Sequence, residues 1–149
     1  MSIHIAPGPA APMVSVTEVR AVESLGLEGD RYYLRTGTFA RNWEPDAEVT
    51  LIEAEAIEAL SRDYRVNLAP ADARRNLVTR GVALNHLVGQ SFRIGEVAFR
   101  AHGLCEPCGH LEKLTGLRVE DPLRHRGGLR AQIVRGGVLR VGDSVVVED

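Results

Sequence analysis

The stretch GGLRAQIVRGGVLRVGDSVVVED, residues 127–149, constrains the fold more than any other part of this sequence. Glycine pairs at 127–128 and 136–137, and the dipeptide Gly142-Asp143, cut it into three short runs rich in Val, Ile and Leu. Each run is too short for an ordinary helix and is bounded by turn residues, so the pattern predicts three short strands. Upstream, SFRIGEVAFRAH predicts a hairpin, with Phe92 and Ile94 before Gly95-Glu96 and Val97 and Phe99 after it. MVSVTEVRAV, residues 13–22, alternates apolar and polar positions with β-branched residues and reads as a further strand.

Helical signals are fewer. EVTLIEAEAIEALSRDY begins as a strand and passes into a helix that carries Ile52, Ala56, Leu60 and Tyr64 on one face. RRNLVTRG reads as a strand ending at a glycine. VALNHLVG gives about two helical turns carrying Leu84 and Leu87, stopped by Gly89. HLEKLTG predicts a short helix with Leu111 and Leu114 inward. Residues 1–13 lead in as an extended segment, since each proline of APGPAAP biases its predecessor away from helix. Residues 24–46 read as a long, glycine-punctuated loop, and loops of that length in a compact domain are usually functional. Helices are too few for βαβ units. The expected fold is therefore mainly β, a β-barrel with a few short α-helices, in a single domain spanning 1–149, and the family resemblance given below implies that the barrel is closed and largely antiparallel.

Composition narrows the class of function. The hydrophobic share of 44% and charged share of 26% are those of an ordinary globular domain. A net charge of −2 gives no global argument for nucleic acid or an anionic membrane, and neither is expected as a partner. No apolar run reaches the roughly 18 residues that a membrane helix needs, and the N-terminus lacks the pattern of a secretory signal. Two cysteines three positions apart cannot staple a fold, and they fit a cytoplasmic, reducing setting.

Those cysteines, Cys105 and Cys108, lie in AHGLCEPCGHLEKLTG and carry the chemistry. With His102 and His110 they offer the four N/S donors of a closed zinc site, although zinc knuckles usually draw ligands from two separated pairs. The deaminase order H-x-E before P-C-x-x-C is reversed here, because His110-Leu111-Glu112 follows the cysteines. A redox dithiol would follow the first strand of a βαβ unit, and two inert thiols in a turn are also possible. A further reading uses position. Cys108 opens a short helix, where a thiolate is stabilised and can carry sulfur as a persulfide or ligate a soft metal.

Taken in order, GLEGDR (26–31), LIEAEAIEAL (51–60), RRNLVTRGVALNHLVGQSFRIGEV (74–97), CEPCGHLEKLTG (105–116) and RGGLRAQIVRGGVLRVGD (126–143) resemble the MOSC domain family, from about Val14 to Val147. The resemblance implies a closed β-barrel and a molybdenum–pterin cofactor (molybdopterin) ligated through the cysteine that Cys108 matches. It implies a possible molybdenum-dependent oxidoreductase that reduces N-hydroxylated small molecules or bases. Its alternative is a non-catalytic sulfur carrier holding a Cys108 persulfide for metal-sulfur cluster or cofactor assembly. Thiolate suits molybdenum, and the pterin phosphate needs arginine or free N–H groups. Arg31, Arg75, Asn76 and Arg126 are the expected cofactor-binding residues, with Arg75 the best candidate and Arg74 weaker. Arg124 and His125 adjoin Arg126 in RHRGG, read as either a solvated basic turn or the far side of an anion pocket. Asp30 reads as a loop cap or a partner that orients Arg31. Tyr32 stands where the family often has histidine. His86 is expected at the surface, and Trp43 as packing. The chain has no pyridoxal-phosphate domain of the kind cofactor sulfurases carry, so an external electron donor or sulfur donor protein is the expected partner.

Overall fold

A computed structural model describes residues 1–8, 11–35, 47–107 and 109–148. Cys108 and Trp43 lie outside the described residues, as does the side chain of His110. The strands are β1 (Ser2–Ile5), β2 (Val14–Val16), β3 (Glu18–Val22), β4 (Gly26–Leu27), β5 (Val49–Glu53), β6 (Leu77–Thr79), β7 (Ser91–Ile94), β8 (Val97–Leu104), β9 (Leu129–Arg135), β10 (Gly137–Arg140) and β11 (Val145–Val147). The helices are α1 (Arg31–Leu34), α2 (Ala54–Tyr64) and α3 (Gly109–Thr115), with two 3₁₀ turns at Pro70–Ala73 and Leu84–Leu87. Among the described residues no helix is long and apolar enough to cross a membrane.

The mainly β character with few helices agrees with the sequence, but the closed barrel does not form. Among the described residues there are two open sheets, one of eight strands in the order β11-β7-β8-β9-β5-β6-β1-β2 and one of three in the order β10-β3-β4. The reason lies in what glycine punctuation encodes. It marks where strands stop, not whether the last one pairs back onto the first. After β9 the chain leaves the large sheet, and β10 pairs with β3 instead, Leu139 opposite Val19. The free edges β11 and β2 are three residues long, which limits the template they offer to other chains.

Apolar side chains join the two sheets, together with the β10 N–H of Val138, which donates to Glu96 Oε1 of the β7–β8 turn at 2.9 Å. Val19, Ala21, Leu27 and Leu139 of the small sheet share one core with Leu51, Leu77, Phe92, Phe99, Leu129 and Ile133 of the large one. Phe92 and Phe99 face each other across the β7–β8 hairpin, where the sequence puts them. Their rings stack with centroids 5.1 Å apart and planes 11° from parallel, an arrangement that adds about 0.5–1.5 kcal/mol beyond burial alone.

Among the described residues every strand pairing is antiparallel except β5 with β6, where Leu51 lies opposite Leu77. A parallel pair needs a crossover, and α2 supplies it. This single βαβ unit corrects the expectation that the chain has none. Period-2 alternation sends Leu51 and Leu77 into the main core. Ile52 and Val78 go to the other face, under Ala56, Ile57 and Leu60 of α2. Leu111, Val119 and Leu123 complete that second cluster. Tyr64, expected on the buried face, is exposed because the apolar stripe of α2 stops at Leu60 and Arg65 turns the chain in the left-handed conformation. Leu114, expected inward, stands at the surface beside buried Leu111.

Residues 2–5 of the extended lead are β1 itself, held between β2 and β6. Its His4 is buried with Nδ1 at 3.0 Å from Ser15 Oγ and Nε2 at 2.9 Å from Ser2 Oγ. Both hydroxyls can accept as well as donate, so protonation would not break these bonds. Burial alone disfavours the charged ring and lowers its pKa below the ordinary 6.5. The unfolded chain therefore binds the proton first on acidification, and stability falls as pH drops from about 6.5 toward the depressed folded value. Urea denaturation of the His4→Gln protein should show a flatter dependence between pH 7 and 5 than the parent. An unchanged slope would place the acid sensitivity elsewhere.

Gly128 (φ 115°) lies where a Cβ would fall inside the Leu51 carbonyl. Gly116 (φ 70°) faces open space. Gly116→Ala should cost only the conformational strain of about 1 kcal/mol, whereas Gly128→Ala should cost at least about twice that by forcing β9 from β5. Thermal melts of the two variants would test the ranking, and equal losses would refute it.

Candidate functional site

The site begins at Asp30, which is fully buried at the end of GLEGD. Its Oδ2 accepts the Tyr32 N–H at 3.2 Å, capping α1, while Oδ1 accepts the Ala6 N–H at 3.0 Å and an Arg31 Nη1–H at 3.1 Å. Asp30 therefore fills both of the roles open to it, cap and partner of Arg31. The Arg31 guanidinium lies 4.6 Å from the centroid of the Tyr32 ring, and its Nη2 donates to the Arg74 carbonyl at 3.0 Å. That bond draws the GDR loop against the RRN segment.

In RRN the three side chains do different things. Arg74 adopts a left-handed backbone (φ 57°), and its Nη1 donates to the Ala11 carbonyl at 2.7 Å. Burial, then the adjacent Arg31 cation, pull its pKa down, and Asp30, Tyr32 and Asp72 partly offset them. Arg75 turns away from this corner. Its Nε donates to the Gly127 carbonyl at 2.8 Å, Nη2 to the Cys105 carbonyl at 3.2 Å and Nη1 to the Ala73 carbonyl at 3.3 Å. Asn76 is fully buried. Its Oδ1 accepts the Thr50 N–H at 3.0 Å and the Thr50 hydroxyl at 3.2 Å, and its Nδ2 donates to the His4 carbonyl at 3.1 Å.

Through Arg75 the segment Cys105–Pro107 meets the diglycine 127–128. Cys105 is buried just beyond β8, and its N–H donates to the Gly128 carbonyl at 2.7 Å. Glu106 clasps His125, accepting its backbone N–H at 2.6 Å and standing 2.8 Å from Nδ1, while Asn85 Nδ2 donates to the His125 carbonyl at 2.5 Å. Arg126 follows, exposed, and Arg124 pairs with Asp121. Arg31 thus reaches the backbone of Arg74, the Arg75 and Asn76 side chains turn to other partners, and Arg126 sits one residue from the carbonyl that Arg75 holds. His86 is at the surface, as expected. His102 Nε2 stands 2.9 Å from Gln132 Oε1.

Sequence reading missed Glu53, Glu106 and Asn85. Glu53 ends β5 and is held up in pKa by burial first and by Glu55 second, against the Leu84 N–H, Arg126 and His86. The strand-to-helix junction in TLIEAEA was its available signal, but the helical pattern assigned it to a solvated face. Glu106 and Asn85 gave no signal, because their partner is a turn 19 to 40 positions away. Chemically, the buried guanidinium groups of Arg31 and Arg75 are spent on Asp30 and on backbone carbonyls, and Arg126 is left exposed. An exposed guanidinium can take an anionic ligand.

Comparison with known proteins places this geometry. The MOSC domain description matches residues 38–146. No curated protein matches the chain. Among solved structures, the YuaD protein of Bacillus subtilis aligns with a TM-score of 0.78 at 14% identity, covering 98% of this chain and 92% of that one. YiiM from Geobacillus stearothermophilus aligns at 0.76 and 13% identity, covering 99% of this chain and 73% of that one. YiiM from Escherichia coli aligns at 0.67 and 20% identity, covering 100% and 70%. These likenesses establish a shared fold, and the match over residues 38–146 establishes more: the chain belongs to the MOSC domain family.

Proposed function

We propose that this chain binds a molybdenum–pterin cofactor, with Cys108 as the metal ligand, and reduces N-hydroxylated small molecules or bases. The observation that carries the reading is the meeting of three separate motifs: the GDR loop bonded to RRN through Arg31, and RRN bonded to the cysteine segment through Arg75. Residues from distant parts of a chain that share one pocket's chemistry must converge, and the bonds made by Arg31 and Arg75 support that reading.

The described residues fit the anionic part of such a cofactor. Arg126, exposed on its turn, is the group to meet a terminal phosphate, since charge-assisted bonds from guanidinium are the strong ones. Arg31, Arg75 and Asn76, held by protein partners, shape the wall and contribute positive field. A thiolate from Cys108 suits a soft, high-valent metal. When bound, the group supplies a centre for two-electron chemistry. The reaction takes two electrons and two protons from an external donor and releases the N-hydroxyl oxygen as water.

Protein made in a host that assembles molybdenum cofactor should carry about one molybdenum per chain, lost on Cys108→Ser because a neutral hydroxyl is a poor ligand for a soft centre. Arg126→Ala should weaken retention about tenfold to a hundredfold, the equivalent of one charge-assisted bond. Elemental analysis after dialysis reads both. Sulfane sulfur on Cys108 without molybdenum would replace this reading with the sulfur carrier. One equivalent of zinc requiring His102 and both cysteines would leave only a structural site.

A further inference from the structure

Period-2 alternation gives the large sheet an outer face as well as a core face, and the two halves of that outer face differ. On β5 and β6 it is covered, since Ile52 and Val78 lie under α2, with Leu111 and Val119 in the same cluster. Among the described residues none from β7, β8 or β9 joins that cluster. There Phe92, Phe99 and Ile133 belong to the main core, which leaves Arg93, Arg100, His102, Arg130 and Gln132 on the outer side. Arg100 and His102 are exposed, and the other three are half-buried.

The charge of this strip is one-sided. Arg100 lies between Ser91 and Gln132, both neutral, and among the described residues no carboxylate pairs with it. Arg130 stands on the neighbouring strand, opposite Gly103. Among the described residues the acid paired with the strip is Glu148, 3.5 Å from Arg93 Nε at its margin. Elsewhere exposed arginines meet acids: Arg62 with Asp63, Arg80 with Glu58, Arg124 with Asp121 and Arg140 with Glu18. The whole chain has a net charge of −2, so the strip inverts the field locally, and such a patch steers partners of the opposite sign. It carries apolar ground as well. Val134 near the end of β9 is 45% exposed, and Val146, opposite Arg93, is 40% exposed.

Those valines, and the inward direction of the aromatic rings, decide the occupant. A free anion would bury no valine. Single-stranded nucleic acid would need rings to stack on, whereas Phe92 and Phe99 point into the core. A second copy of this chain offers α2 as its acid-bearing helix, but Glu58 and Asp63 there are already paired, and a helix-on-sheet contact between copies would not close. A separate protein with an acidic face fits the cations and the valines together, and arginine is the charged residue that protein interfaces favour. From the strip, β8 runs on into the Cys105 segment. We propose that the outer face of β7–β9 is the docking surface for an acidic electron-carrier protein, centred on Arg100. That the partner carries electrons rests on the reductase reading, whereas its being an acidic protein rests on the strip.

The test titrates the isotope-labelled full chain with an acidic flavodoxin, and separately with an acidic plant-type ferredoxin, mapping amide shifts by NMR and following association by stopped flow. At least one carrier should shift amides of β7–β9, and its association should slow about tenfold between about 20 and 300 mM salt. Arg100→Glu should slow association about tenfold at low salt and far less at high salt. Val134→Ser should speed dissociation about threefold and leave heparin binding unchanged. Arg118→Glu, in a hollow shared with Glu112, Glu120 and Asp121, should change neither rate. The wild-type shift map stands even where a variant fails to fold. No binding of either carrier at low salt overturns the proposal, as do shifts confined to α2 or to residues 109–126. Tighter binding of single-stranded DNA than of either carrier, lost in Arg100→Glu, or a dimer of this chain covering the strip, would overturn it too. A carrier seated on the strip of a chain that never takes up molybdenum would uphold the surface and sink only the cofactor. Molybdenum retained through Cys108 with no carrier on the strip would do the reverse.

Discussion

The amide of Asn76 sits where three strands meet, and the rest of the site hangs from it. Thr50 and Asn76 exchange bonds in both directions: the Thr50 hydroxyl accepts the Asn76 N–H at 3.1 Å while the Asn76 side chain accepts from Thr50. On the other side, His4 donates its N–H to the Asn76 carbonyl at 2.7 Å and accepts from its side chain. Strands β1, β5 and β6 are thus locked at one level before the parallel ladder starts. Each of these groups is buried, and an unmade bond there would cost about 1–3 kcal/mol. Because β6 starts from that level, Arg74 and Arg75 leave it with their side chains sent to two different neighbours. The Arg74 side chain reaches the Ala11 carbonyl, while its own carbonyl holds Arg31, and the Arg75 side chain joins the cysteine segment.

A second consequence concerns how the core is sealed. Open sheets leave edges, and this molecule covers its core by laying the small sheet β10-β3-β4 against the large one through apolar contacts. The Arg75 part of the site lies among the turns that follow β8 and precede β9, while Arg31 and Arg74 reach Met13 and Ala11 just ahead of β2. Loops carried on a stiff sheet can bear strained or closely packed backbone, as at Gly127 and Gly128, without loosening the core.

The local periodicities were legible in the sequence. Phe92, Ile94, Val97 and Phe99 announced a hairpin and are all buried in it. The strand-to-helix switch at Glu53 was visible as a change of period. What the sequence could not convey was which strands become neighbours. The pairing of β10 with β3 joins residues over a hundred positions apart, and no local pattern encodes that choice, so an open pair of sheets read as a barrel. The site was legible as residue types and less so as partners. Arg75 announced itself as a basic group beside an asparagine, but its preference for carbonyls over acids depends on where Cys105 and Gly127 arrive. Glu106 was too ordinary alone to be noticed, and His125 was legible only as part of the basic turn RHRGG, not as the partner of Glu106.

The order of the strands also bears on how the chain comes to be folded at all. β3 belongs near the start of the sequence, but both halves of its hydrogen bonding are not complete until β10 exists. β5 likewise waits for β9, with Val49 opposite Ala131. On a ribosome these early strands emerge long before their partners, with apolar faces that only late residues can cover. High contact order of this kind slows folding and lengthens the time a nascent chain spends exposed. The helix α2 is different, because it can form at once and pack on Ile52, and so shield one face of β5 during the wait. A single crossover helix in a strand-rich protein thus acts as the chain's own early chaperone.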